Sequence, residues 1–161
     1  MKPLQFLALG GLAACLAAQA EVASEKNITL ALATEIASAV VQGCAAKGYN
    51  VTATVVDRVG GVRVVLRADK AGPHTLDSSR RKAYTAASTK RSTTEMLENV
   101  QKNPGAQYLP MIDDFLVAGG GVPIKVGDEV IGAVGVGGAP GGHLDEQCAT
   151  AALDTVKAQL K

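Results

Sequence analysis

The sequence predicts an α+β fold in which an antiparallel five-stranded sheet is covered by helices. Three observations predict it. β-branched runs come in pairs joined by glycine-containing turns, around Val51 to Leu66 and Val122 to Val136. Segments with helical periodicity stand at both ends and between those pairs. The order α-β-β-α-α-β-β-β-α contains no repeat and no linker, so residues 21–161 read as one domain.

Thr29 is the expected N-cap of the first helix, with Leu32, Ile36, Val40 and Cys44 at helical spacing and Gly48 as the stop. Val51 to Val56 and Val62 to Leu66 read as strands joined through Asp57-Arg58-Val59-Gly60-Gly61. A polar stretch ending at His74 leads into a helix from Thr75 to Lys90. Ser92-Thr93-Thr94-Glu95 is a capping box opening a short helix to about Val100. Phe115 to Ala118 reads as a short strand, broken by Gly119-Gly120-Gly121. Val122 to Val126 follows, with Pro123 pointing to an edge or a bulge. In the strand Val130 to Val136, Gly132 and Gly135 suit close approach of another backbone or a flat ligand. Leu144 to Leu160 is the closing helix.

Residues 1–20 read as an export signal: Lys2, the apolar run Leu4 to Ala18, then small residues at Ala18 and Ala20. The run is short for a membrane span. Lipidation at Cys15, after Leu12-Ala13-Ala14, is the alternative. Either route predicts a periplasmic or secreted protein.

The 161 residues carry sixteen Lys and Arg against fifteen Asp and Glu, and only 3% aromatics. That balance supplies neither the basic excess nor the stacking surfaces of a nucleic-acid binder. The run from Gly135 to Gly142 lies between a strand and a helix, but no βαβ unit follows it and no Walker loop is present. What remains is backbone amides at Gly137, Gly138, Gly141 and Gly142 that an anion can reach, beside a helix start. His74 and His143 each precede or open a helix in a glycine-containing loop and offer imidazole to a metal or haem iron, or stand as ordinary exposed histidines. Arg80 and Arg81 offer bidentate donors for a carboxylate, or a solvated face. Two histidines without further ligands make no zinc site, and no nucleophile–base set is present.

Taken in order, Val55-Val56-Asp57 with Gly60-Gly61, Arg67-Ala68-Asp69, Lys82-Ala83-Tyr84-Thr85-Ala86, Gly119 to Ile124, and Ile131 to Gly138 resemble the GlcG/HbpS family. That family is related to the C-terminal domain of PduO-type cobalamin adenosyltransferases. The resemblance implies a profilin-like layered fold, homo-oligomers and haem as cofactor. The expected function is an exported, non-enzymatic haem-binding protein for haem sensing, storage or degradation. His74 is the candidate iron ligand, with Arg80, Arg81, the Gly137–Gly142 amides and His143 around it, and Val134 and Val136 as an apolar wall. The alternative is an accessory protein or enzyme for a small hydroxy acid such as glycolate.

In a layered fold of this order the first and last helices can pack side by side. Cys44 and Cys148 then either form a disulfide, which an oxidising compartment favours, or remain buried free thiols.

Overall fold

A computed structural model describes residues 22–161. The export signal expected over residues 1–20, with its Cys15 alternative, lies outside the described residues.

Thr29 caps the first helix, α1 (Leu30–Ala45), by accepting the Leu32 amide at 3.3 Å. The chain then forms the hairpin β1 (Thr52–Asp57) and β2 (Val62–Arg67). Asp57 Oδ1 closes its turn by accepting the Val59 and Gly61 amides. Two helices follow, α2 (His74–Thr89) and α3 (Thr93–Lys102), the second opened by the reciprocal Ser92–Glu95 capping box. A second hairpin, β3 (Gly121–Val126) and β4 (Glu129–Gly137), leads into α4 (Gly142–Thr155).

The four strands are all antiparallel, in the order β2-β1-β4-β3. β3 is an edge strand, where Pro123 is tolerated, and its register shifts further on, between Ile124 and Lys125. The expected fifth strand, Phe115 to Ala118, is not a strand. Its backbone is paired elsewhere: the Phe115 amide bonds Ile112, the Leu116 amide bonds Thr85 Oγ1, and Arg81 takes the Phe115 carbonyl. The segment is therefore tied along α2 with no strand partner. The last helix also ends earlier than its periodicity suggests, at Thr155, and the chain continues as a short 3-10 turn over Lys157–Gln159.

Alternation along β1 builds the three layers. Ala53 and Val55 join Ile36, Val40, Val134, Val136, Ala149 and Ala152 in the core beneath α1 and α4. On the other face, Thr52 and Thr54 meet α2 through two buried hydroxyl pairs, Thr52–Thr75 at 2.6 Å and Thr54–Ser79 at 2.7 Å. Val56 and Ala133 pack there against Ala83, Ala86 and Ala87. Small residues let α2 sit directly on the sheet. A Cβ at Gly135 would lie 2.0 Å from the Ser79 carbonyl oxygen, so only glycine permits that contact. The close approach anticipated at Gly135 is thus with the backbone of a helix.

Cys44 and Cys148 are joined by a disulfide between α1 and α4, with Cα atoms 5.6 Å apart. Among the described residues no helix is long and apolar enough to cross a membrane.

Candidate functional site

Six segments surround a cleft of about 500 Å³: the turn after α1, the turn before α2, one stripe of α2, Leu116 to Ala118, the end of β4 with the loop after it, and Asp145 in the first turn of α4. That size is ordinary for a ligand site. The α2 stripe consists of His74, Ser78 and Lys82, spaced by four residues and therefore stacked on one helical face. His74 stands exposed at the rim, and its imidazole lies against Gly72, where a Cβ would come within 2.7 Å of Cε1. No described residue hydrogen-bonds the ring, whose Nδ1 side lies against Gly72. Gly138, at φ +127°, bends the opposite wall so that its Cα lies against the Asn50 carbonyl, and a side chain there would collide with that oxygen at 2.5 Å.

At the floor lies an ion pair. Lys82 Nζ donates to Asp145 Oδ2 at 2.8 Å and to the Val136 carbonyl at 2.9 Å. Their side chains are 7% and 4% exposed. Asp145 Oδ1 accepts the Ala139 amide at 2.9 Å, so the pair joins α2, the end of β4, the following loop and α4. Burial pushes the Asp145 carboxyl above the usual carboxylate range, against the opposing pull of Lys82 and the Ala139 amide. A buried pair of this kind holds its geometry because breaking it would strand a charge.

The residues singled out from the sequence divide between several places. His74, Gly137 and Gly138 line the cleft. Arg80 and Arg81 do not. Arg80 is held by Asp77 at 3.0 Å and Asp114 at 2.7 Å, and Arg81 donates to the Phe115 carbonyl at 2.6 Å. Asp114 raises the Arg80 pKa and is itself lowered by it, so both stay charged. His143 lines a different hollow of about 510 Å³, with Lys47, Glu146 and Asp154. Gly141 lies against the His143 ring and Gly142 against the Gly119 backbone, so neither joins the cleft. The anion expected at the start of α4 meets a competitor already in place: Asp145 sits in that first turn, where negative charge complements the helix dipole, and takes the Ala139 amide. Val134 and Val136 form no ligand wall either, since both are fully buried in the α1–α4 core.

Lys82 and Asp145 escape a reading of the sequence. Lys82 closes the polar run Ser78 to Lys82, which looks like a solvated face, and Asp145 looks like a routine first-turn acid. The usable signal is the run His74, Ser78, Lys82, each four residues after the last.

A family model described as haem-degrading protein HbpS-like matches residues 28–154. A Citrobacter freundii relative, described as an uncharacterized 15.0 kDa protein in the dhaT-dhaS intergenic region, is 35% identical over 70% of this chain and 80% of its own. Among solved structures, a double mutant of Streptomyces reticuli HbpS is 37% identical, covering 91% of this chain and 99% of its own at a TM-score of 0.80. The Klebsiella pneumoniae protein ORFY is 33% identical, covering 87% of this chain and 97% of its own at a TM-score of 0.81.

Proposed function

The chain belongs to the HbpS-like family, and from that membership we propose that it is an exported haem-binding protein whose ligand occupies the cleft at His74. The observation that carries the proposal is the free imidazole at the rim, cradled by Gly72, above a cleft of ligand size. The residues fit the group. Haem would supply an iron that takes an imidazole nitrogen, and propionates that accept cationic or amide donors. His74 would hold the iron. Leu116, Ala118 and Pro140 offer apolar contact, and Lys70 with the Gly138 amide offers donors at the edge. Binding is what sensing, storage and degradation of haem all require.

The disulfide supports an extracytoplasmic setting, because such bonds persist in oxidising compartments. Assembly into a homo-oligomer is part of the same reading. It is supported by apolar side chains left open on β2, where Val62 and Val65 are 49% and 41% exposed at a sheet edge.

A small hydroxy acid is the second reading, favoured by the polar, donor-rich floor of the cleft. Haem titration decides between them. A saturable Soret shift supports haem. An unchanged spectrum, together with a higher melting temperature in glycolate, would replace haem with the acid.

A further inference from the structure

The floor of the cleft holds more donors than an apolar ligand needs. Along α2, His74 is exposed, Ser78 half-buried and Lys82 buried, so the stripe descends from imidazole to hydroxyl to ammonium. An ammonium has three protons. Two of those on Lys82 go to Asp145 and the Val136 carbonyl. Ser78 Oγ reaches only the Thr75 carbonyl, at 3.5 Å, the outer limit of a hydrogen bond. Lys70 at the rim has no ion-pair partner among the described residues. Among the described residues Asp145 is the only acid lining the cleft, and Lys82 already neutralises it. The lining is therefore cationic overall, and at its deep end the third N–H of Lys82 has no acceptor among the described residues.

We propose that the floor of the cleft is a carboxylate subsite, in which Lys82 Nζ gives its third N–H and Ser78 Oγ its O–H to one carboxylate of the ligand. Asp145 is a positioning residue there, fixing the ammonium between β4 and α4. The proposal rests on the cleft being the ligand site. A haem propionate and a small carboxylic acid present the same group, so the test must separate them.

The probes are haem, haem dimethyl ester and propionate, each offered to wild type, Ser78→Ala and the uncharged pair Lys82→Met/Asp145→Asn. The expected result is that wild type binds haem about tenfold more tightly than the ester, a difference of about 1.4 kcal/mol. Both variants should lose that preference, binding haem and the ester with equal affinity. Equal affinity of wild type for acid and ester overturns the proposal, and so does a preference that survives in the variants. If the uncharged pair fails to fold, Ser78→Ala carries the comparison alone. If wild type binds neither haem nor ester, the haem reading fails and propionate decides the subsite. A higher melting temperature in wild type but not in Ser78→Ala then supports it, and no rise overturns it.

Discussion

Lys82 and Asp145 meet at 2.8 Å beneath the cleft, on helices that pack against opposite faces of the sheet. The pair crosses the fold at the end of β4, where the Val136 carbonyl shares the ammonium. It fixes the loop that forms one wall of the cleft, because the same carboxylate holds the Ala139 amide.

Removing one partner should therefore cost more than removing both charges. Asp145→Asn leaves the Lys82 ammonium buried without its counter-ion and should destabilise the protein by about 3–5 kcal/mol. Lys82→Met/Asp145→Asn should recover much of that loss. Urea unfolding of the three proteins measures the difference, and an equal loss in both variants would contradict the account.

The Asp145 carboxyl has its own pH signature. Its pKa is raised in the fold above the ordinary 3.8, so the folded state holds the proton more tightly than the unfolded chain does. In the window from that ordinary value up to the raised one, the unfolded state binds fewer protons, and the Asp145 contribution to stability declines as pH rises. Carbon-detected NMR titration should find its midpoint above those of exposed aspartates. A midpoint at or below 3.8 would mean that the pull of Lys82 outweighs burial.

Much of the scaffold is legible in the sequence because its signals are local. Thr29 and Ser92 announce helix starts by capping chemistry, and the Leu32–Ile36–Val40–Cys44 stripe shows which face of α1 is covered. Phe115 to Ala118 misleads because composition cannot show that its backbone is paired with Thr85 and Arg81. The site is harder still. Whether Lys82 faces solvent or sheet depends on Gly121 and Gly135, more than thirty residues away, which let α2 descend onto the strands. Arg80 and Lys82 are near neighbours in one polar run, yet one pairs with surface acids and the other is buried.

Gly135 can be tested directly. Gly135→Ala would bring a methyl group against the Ser79 carbonyl and the Ala83 amide, forcing α2 away from β4. The expected loss is about 1–3 kcal/mol, the usual cost of overpacking. Ligand affinity should fall with it, since α2 carries His74, Ser78 and Lys82. Unchanged unfolding and unchanged affinity would show that the helix does not depend on this glycine.

The disulfide ties α1 to α4 across 104 positions of sequence. Chain-entropy reasoning gives about 4.7 kcal/mol for a loop of roughly 100 residues, as an upper figure. Cys44→Ala/Cys148→Ala should unfold at clearly lower urea than the oxidised wild type, and reductant should lower the wild-type midpoint toward that of the variant. Peptide mapping without reduction should recover the two cysteines in one linked pair, and separate thiol-bearing peptides would contradict the bond.

The two histidines should behave differently toward haem. His74 lines the cleft with its ring free, whereas His143 lines the hollow beside Lys47 and Asp154. His74→Ala is expected to weaken haem binding by about tenfold or more, or 1.4 kcal/mol, and His143→Ala to leave it nearly unchanged. Soret titration of both variants measures this, and equal affinities would remove His74 from the role of iron ligand.

The most direct test of the account is to map where a porphyrin binds. Amide chemical shifts recorded while diamagnetic gallium protoporphyrin is added should move at Asn50, Gly72, His74, Ser78 and Gly138, the residues around the cleft. Shifts confined to His143, Gln147 and Thr150 would place the ligand in the other hollow and contradict the central claim.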